Sequence, residues 1–266
     1  MLGTTHHPSP NTPSNAPPFV ISQRFFASLI GVIAFGLPTF LVFGSLVGGC
    51  FRNSLSHNYY SSFFGDVFVV SLAAMGLFLF AYRGRDGRGG LEDKLATVAG
   101  IAALGVALFP TEGDGLDGKA CASRAFVDSV GGVSFELFAN VWMLHVAAAV
   151  YVFGFLAYYA LFNFTKVHSA ESVDAHGNLT PAKRHRNRLY RASGIAILGC
   201  IALLGLHSWI GHGWTFWHAI NATFWIEALA LVAFGTSWIV RGRVFDTVLL
   251  DSAAKGVVRL TSKVSN

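Results

Sequence analysis

Residues 25–47 read FFASLIGVIAFGLPTFLVFGSLV and contain no charged side chain. A helix needs about 20 apolar residues, each rising about 1.5 Å, to cross the roughly 30 Å hydrocarbon core of a bilayer. Lipid offers the backbone no hydrogen-bond partner, so such a stretch is a helix rather than an open strand. Comparable apolar stretches lie at about 64–82, 95–110, 137–163, 190–211 and 217–240. The sequence therefore predicts an all-α polytopic membrane protein, built as a six-transmembrane-helix bundle.

The composition agrees with a membrane protein. The chain is 53% hydrophobic and 12% charged, whereas soluble domains are roughly a quarter charged. The net charge of +5 would suggest nucleic acid as the partner of a soluble protein, but here it reports membrane topology. The sequence contains no phosphate-binding loop and no nucleic-acid-binding motif. We therefore expect the lipid bilayer, and not nucleic acid, to be the principal partner.

The basic residues lie mostly on one side of the predicted membrane. If the chain has six membrane helices, sixteen of its nineteen Lys and Arg residues fall on one side, and only Arg52, Lys119 and Arg124 fall on the other. Positive charge is retained in the cytoplasm. The sequence therefore predicts a multi-pass cell (inner) membrane protein of a bacterium with both termini cytoplasmic (N-in/C-in). The segments expected to face outward are 48–63, 111–136 and 212–219.

Two tails flank the transmembrane domain, which we place at 25–243. Residues 1–24 are rich in Pro, Ser, Thr and Asn, which predicts a disordered cytoplasmic tail. Residues 244–266 alternate apolar and polar side chains near a helical period. This pattern predicts a cytoplasmic tail with an interfacial amphipathic helix.

The inner connection 164–189 is polar, and we expect it to be mobile between Phe164 and Pro181. Its basic run from Lys183 to Arg191 is expected to hold anionic lipid head groups.

Helix three carries small residues that would let neighbouring helices approach closely; they are Gly100, Ala102, Ala103, Gly105 and Ala107.

Three cysteines occur in the chain. Cys50 and Cys121 both face the outer compartment in this topology, where disulfides persist. A Cys50–Cys121 disulfide and two unpaired thiols both remain open. Cys200, inside helix five, is expected to be a small packing residue.

Residues 207–218 read HSWIGHGWTFWH and contain three histidines and three tryptophans. Tryptophan is typical of a membrane interface, but the histidines need another explanation. Neutral imidazole is a common metal ligand and a ready general base. Two imidazoles of this turn, with one from another helix, could make a three-His zinc site that leaves one position for water.

His145 and Glu227 lie inside predicted helices, where a titratable group is costly unless it is paired or near water. His145 is expected about two turns below the outer surface, where it either hydrogen-bonds a neighbouring helix or ligates a haem together with His207. Glu227 is expected near the middle of the last helix. It is either neutral, paired with His145 or His207, or part of a proton path. It should point away from His218, nine residues earlier.

Residues 54–66, SLSHNYYSSFFGD, lead into the second helix. On one continuous helix, Tyr59, Ser62 and Asp66 would share a face. This face is either part of a functional site or a combination of helix capping and an interfacial aromatic belt.

The order Ser, His, Asp near helix two, with a His pair opening the last helix, resembles the alkaline ceramidase and progestin–adiponectin receptor superfamily of membrane-embedded, zinc-dependent hydrolases. The resemblance implies zinc ligands at His57, His212 and His218. It also implies that Asp66 orients or deprotonates water and that Ser54 stabilises the oxyanion. The chain departs from that superfamily in having six helices instead of seven. Its two late histidines are also six residues apart instead of four, which puts His212 in the turn.

A second resemblance rests on SLSHNYY at 54–60, ALFPT at 107–111 and RNRLYR at 186–191. These segments are similar to a group of uncharacterised bacterial six-helix membrane proteins. This likeness implies the architecture and no activity.

Three functions are compatible with these residues. The first is a zinc-dependent hydrolase acting on a lipid amide or ester at the outer leaflet. The alternative is a non-enzymatic accessory subunit, or a small-solute or proton carrier that uses Glu227. A second alternative is a b-type haem or quinone-linked electron carrier with His145 and His207 as cofactor ligands.

Overall fold

The computed structural model describes residues 23–48, 51–82, 89–111, 141–167, 172–211 and 213–243. Apart from an isolated bridge between Val173 and Leu179, these residues form no β-structure. The α-helices are α1 (Gln23–Gly48), α2 (Ser62–Ala81), α3 (Leu91–Leu108), α4 (Val141–Tyr158), α5 (Pro181–Ile210), α6 (Thr215–Ala219) and α7 (Ala222–Gly242). A 3-10 helix, Ser56–Tyr60, precedes α2, and a π-helical turn, Tyr159–Asn163, extends α4.

Five of these helices are long and apolar enough to cross a membrane: α1, α2, α4 with its π-helical turn, α5 and α7. The prediction of an all-helical, multi-pass membrane protein is therefore confirmed for the described residues. Helix α3 is the exception, because its first turn carries Glu92, Asp93 and Lys94. It nevertheless lies beside α2 and α4 within the bundle.

The structure corrects two predicted boundaries. Helix α5 begins at Pro181 rather than at residue 190, because Thr180 caps it by accepting a hydrogen bond from the Lys183 backbone N–H at 3.3 Å. The basic run from Lys183 to Arg191 is therefore part of α5 and not of the connection before it. The predicted last helix is also divided, because Asn221 takes a left-handed conformation (φ 51°) between α6 and α7. Asparagine is among the few residues that adopt this conformation readily.

Some predictions fall outside the described residues. These are the tail 1–24, except that Gln23 and Arg24 begin α1, the tail 244–266, the Cys50–Cys121 pair and His212. Cys200 is described, and it is buried within α5 as expected of a packing residue.

Helices α1 and α7 pack with their backbones in close contact. A Cβ atom added to Gly31 would lie 2.6 Å from the Ile239 backbone nitrogen and 2.9 Å from the Gly235 carbonyl oxygen. Gly235 has the reciprocal contact, at 2.7 Å from the Gly31 carbonyl oxygen. Glycine is required here because both neighbouring atoms belong to a helix backbone that cannot move aside cheaply.

Helices α2 and α3 approach each other in the same way. A Cβ atom added to Gly100 would lie 2.5 Å from the Phe80 backbone nitrogen and 2.7 Å from the Gly76 carbonyl oxygen. Ala103 and Ala107 are buried on the same helix. The predicted packing role of the small residues of helix three is thus confirmed for these three positions.

The bundle has two polar ends. We call one the histidine end; it contains residues 51–61, the end of α3 and the turn from α5 to α7. We call the other the basic end; it contains Tyr82, Glu92, Lys166, Lys183 and Arg241. Hydrogen bonds hold each end together. At the histidine end, Phe224 N–H donates to the Asn53 carbonyl at 3.1 Å. At the basic end, Tyr159 Oη donates to the Glu92 carbonyl at 2.8 Å.

We expect Gly31→Ala to lower the thermal stability of the purified protein. The added methyl group overpacks the α1–α7 contact, and overpacking costs about 1–3 kcal/mol. Gly36→Ala is the matched control, because it lies on the same helix and its Cβ would have nothing within 4 Å. Thermal unfolding in detergent compares the two variants. Equal melting temperatures would show that the close contact is not what holds α1 against α7.

Candidate functional site

A short loop at the histidine end is fixed to two helices. Phe51 packs against Phe224 with ring centroids 4.8 Å apart, next to the backbone hydrogen bond between Asn53 and Phe224. The loop continues into the 3-10 helix, where Tyr59 Oη donates to the Leu108 carbonyl at 3.1 Å. Tyr60 Oη donates to the Thr111 carbonyl. The loop therefore bridges the start of α7 and the end of α3.

The carboxylate of Glu227 lies under this loop and accepts hydrogen bonds from it. Oε2 accepts from Ser54 Oγ at 2.7 Å, from Leu55 N–H at 2.6 Å and from Ser56 N–H at 3.2 Å. Oε1 accepts from Ser56 Oγ at 3.3 Å. The two amides open the 3-10 helix, so the carboxylate caps a helical N-terminus, where negative charge is favoured.

These contacts correct two expectations. Glu227 lies in the second turn of α7 rather than near the middle of the helix. Its described partners are the hydroxyl and amide groups of Ser54, Leu55 and Ser56, and not the imidazole of His145 or His207. The spacing pattern of a single helix could not identify a partner that comes from a loop 173 positions away.

Ser54 is held firmly within the loop. Its side chain is buried, and its hydroxyl donates to Glu227 while accepting from the Ser56 N–H at 3.1 Å. This geometry describes a residue that positions the loop. The oxyanion role implied for Ser54 stays a prediction, and it would require these hydrogen bonds to change.

His145 is buried in α4, only 3% exposed, with its Nδ1 atom 2.8 Å from the Phe109 carbonyl oxygen. Phe109 is the C-cap residue that follows α3. Of the two interpretations of His145, the structure therefore supports the hydrogen bond to a neighbouring helix. Its role as a haem ligand stays a prediction.

The turn from α5 to α6 brings two histidines together. The His207 ring stacks on Trp217 with centroids 4.1 Å apart and planes 7° apart, and it lies 5.7 Å from the His218 ring. Trp217 is itself held by a 2.8 Å hydrogen bond from Nε1 to Thr223 Oγ1. Two imidazoles of this turn were expected from the sequence as possible zinc ligands, and the two that lie together are His218, predicted as a zinc ligand, and His207, predicted as a haem ligand.

Asp66 and His57 lie in different settings. Asp66 is exposed on α2. Tyr59 is buried in the separate 3-10 helix, so the expectation that Tyr59, Ser62 and Asp66 share one helical face is wrong. His57 is half-buried in that same 3-10 helix, directly after the residues that hold Glu227.

Among the described residues, no group of three or more His, Cys, Asp or Glu side chains is arranged to hold a metal ion. His212 is outside the described residues, so the three-ligand set His57, His212 and His218 is not tested. Within the part of the chain that is described, the histidine end brings the imidazoles of His207 and His218 together.

The middle of the bundle is apolar. A cavity of about 30 Å³ lies between α2, α3, α4 and α7, and its lining includes Leu72, Met75, Leu231 and Phe234. A buried water needs two or more polar partners, and the side chains that line this cavity are all apolar. They therefore provide no relay that could carry a proton away from Glu227 at this depth.

No family model matches this chain, and no curated protein or solved structure matches it either. Both resemblances noted from the sequence therefore stay predictions. The site must be judged on its own geometry.

We expect Glu227→Leu to release the loop. Leu55 and Ser56 N–H and the two serine hydroxyls would lose their acceptor, and each buried unsatisfied donor costs about 1–3 kcal/mol. Hydrogen–deuterium exchange at the Leu55 and Ser56 amides should therefore become faster, with a smaller increase for Glu227→Gln, whose carbonyl can replace one oxygen. Leu229→Ala, an exposed position on the same helix, is the control. Unchanged protection of both amides in Glu227→Leu would contradict the described contacts.

Proposed function

We propose that this chain is a six-span protein of a bacterial inner membrane with both termini in the cytoplasm. The five apolar helices are joined by α3 as the sixth span, because α3 lies in the bundle between α2 and α4. The charged first turn of α3 would then lie at the cytoplasmic surface, at the basic end. The excess of Lys and Arg at that end supports this orientation.

At the opposite, outward-facing end, we propose a zinc site that serves hydrolysis of a lipid amide or ester. The observation that carries this proposal is the 5.7 Å separation of the His207 and His218 rings. Two imidazoles bound to one tetrahedral ion, with Zn–N about 2.0 Å, have ring centres roughly 5–6 Å apart. The pair fits a metal, and His212 or His57 would supply the third ligand.

Zinc, when bound, lowers the pKa of a coordinated water to about 7 and acts as a Lewis acid. The chain's own residues would do the rest. Stacking on Trp217 fixes the plane of the His207 ring. The hydrogen bonds from Leu55 and Ser56 N–H to Glu227 fix the backbone of the loop that carries His57. Asp66, exposed on α2, would have the role that the resemblance implies for it, which is to accept the proton of the attacking water.

The surroundings of the turn favour a lipid substrate. Trp209, Trp214 and Phe216 are exposed around the two histidines. Aromatic side chains of this kind lie at the level of the lipid head groups. A scissile amide or ester just below a head group would therefore be near the imidazole pair.

The alternatives are less well supported. A proton carrier using Glu227 needs a polar route through the bundle, and the described mid-bundle cavity is lined by apolar side chains. A haem held by His145 and His207 would use Nε2 of His145, because its Nδ1 is engaged with the Phe109 carbonyl, and it would separate His207 from the His218 ring that lies 5.7 Å away. A non-enzymatic accessory role would leave the histidine pair without a metal.

The metal content of detergent-purified protein tests the proposal. We expect about one zinc per chain when neither chelator nor polyhistidine tag is used, and loss of most of it in His207→Gln/His218→Gln. His176→Gln/His185→Gln is the matched control, since it removes two exposed histidines elsewhere. A wild type without metal would overturn the zinc site, and a Soret band in the visible spectrum would assign the histidines to haem.

A separate measurement, the release of fatty acid from lipid, tests the proposed hydrolysis. Fatty acid released from a lipid amide or ester in reconstituted vesicles should disappear with chelator and in the His207→Gln/His218→Gln variant. A zinc-loaded protein that releases no fatty acid from either class of lipid would contradict the hydrolase and leave the metal site standing.

A further inference from the structure

The basic run at the start of α5 has an inward and an outward side. Lys183 is buried, and its Nζ donates to the Phe164 carbonyl at 2.9 Å. Arg184, Arg188 and Arg191 are exposed. Residues four and seven positions apart share one face of a helix, so these three arginines form a single outward stripe. A run that looks uniform in sequence thus directs only part of its charge away from the bundle.

The guanidinium groups of this stripe are available to an external partner. In the part of the chain that the structure describes, the side chains of Arg184, Arg188 and Arg191 make no hydrogen bond and no ion pair. Arg186 differs, because it is half-buried and has contacts within the protein. We call Arg184, Arg188 and Arg191 the outward arginines. Each of them offers five N–H donors in a planar fork.

The same face of α5 continues as apolar surface. Ile195 lies about one turn beyond Arg191, Leu198 follows three residues later, and both are exposed. A Cβ atom added to the neighbouring Gly199 would meet nothing within 4 Å, so no described element covers this side of the helix. Helix α5 is also long and apolar enough to span a membrane. Its outward face therefore changes from cations to lipid-contacting side chains within about one helical turn.

The spacing along this face matches the profile of a bilayer leaflet. One helical turn rises about 5.4 Å, and the head-group region of one leaflet is roughly 5–8 Å thick. With Ile195 in the hydrocarbon, Arg191 and Arg188 lie at the level of the lipid phosphates, and Arg184 lies at the outer edge of that region. Side chains of a helix tilt towards its N-terminus, which directs these arginines away from the hydrocarbon.

We propose that Arg188 and Arg191 bind the phosphate of one anionic membrane lipid, whose acyl chain lies along Ile195 and Leu198. Residues three positions apart on a helix have Cβ atoms about 5–6 Å apart, so both guanidinium groups reach the same phosphate. Guanidinium binds phosphate oxygens through paired N–H donors. Arg184, one turn farther from the hydrocarbon, adds a weaker attraction. A soluble acidic partner would use these cations and would not explain the apolar continuation of the face.

This site differs from attraction of lipid by the whole basic run. It uses two arginines of one helical face and makes no use of the inward Lys183. It depends on α5 spanning the membrane, which its length and composition allow. It does not depend on the direction in which the chain crosses the membrane, and it lies at the opposite end of the bundle from the proposed zinc site.

A charge-matched pair of variants tests the site. Arg188→Gln/Arg191→Gln removes the two proposed ligands, whereas Arg24→Gln/Lys94→Gln removes two exposed cations from the first turns of α1 and α3. Native mass spectrometry of the full-length protein in detergent micelles would measure binding of phosphatidylglycerol, with phosphatidylcholine as the neutral reference. We expect Arg188→Gln/Arg191→Gln to bind phosphatidylglycerol about tenfold more weakly and the control to change less than about twofold.

Equal losses in the two double variants, or no loss in either, would overturn the proposal, because a diffuse attraction does not distinguish the positions of the cations. Inorganic phosphate, measured in the same way, distinguishes the source of the anion. If phosphate binds with the same dependence on Arg188 and Arg191 while phosphatidylglycerol is not preferred over phosphatidylcholine, the ligand is a free phosphate and the lipid site is wrong. If the double variant unfolds, Arg191→Gln alone replaces it, with an expected loss of about threefold.

Discussion

Hydrocarbon cannot hydrogen-bond a peptide group or solvate a charge, and the arrangement of this bundle follows from that constraint. Its apolar helices satisfy their own backbones, and glycines at Gly31, Gly235, Gly76 and Gly100 let them approach without side chains between them. The buried charged and titratable groups lie toward the two ends, whereas the cavity at the centre is lined by apolar side chains. Any chemistry of the described residues is thereby directed to one end or the other.

The charged side chains at the two ends of the bundle contact different kinds of polar group. At the histidine end, the half-buried carboxylate of Glu227 accepts hydrogen bonds from the hydroxyl and amide donors of one loop, so this acidic group is matched to a helical N-terminus. At the basic end, Glu92 pairs with Lys166 at 3.3 Å, and the buried Lys183 donates to the Phe164 carbonyl at 2.9 Å. At both ends, the charged side chains thus meet polar groups of the protein itself.

The histidine end also shows why tryptophan and histidine occur together in the turn. Trp217 holds the His207 ring flat against it, and its own Nε1 is fixed by Thr223 at the start of α7. Trp217 therefore fixes the orientation of the His207 imidazole. A fixed imidazole with a second imidazole beside it favours a ligand-binding role for the turn. Anchoring at the membrane interface would require only the tryptophans.

The sequence by itself determined the class of the protein, because long apolar stretches predict membrane helices and five of the described helices are long and apolar enough to span a membrane. It also identified Glu227, His145, His207 and His218 as groups that need an explanation, because polar side chains in lipid are costly. Only the tertiary structure decided their partners. Ser54 meets Glu227 across 173 positions, His207 meets His218 across a turn, and Lys183 faces inward towards Phe164 while its neighbour Arg184 faces outward. Periodicity describes the faces of one helix, whereas contacts between a helix and a distant loop depend on how all the helices pack, and no local pattern encodes that.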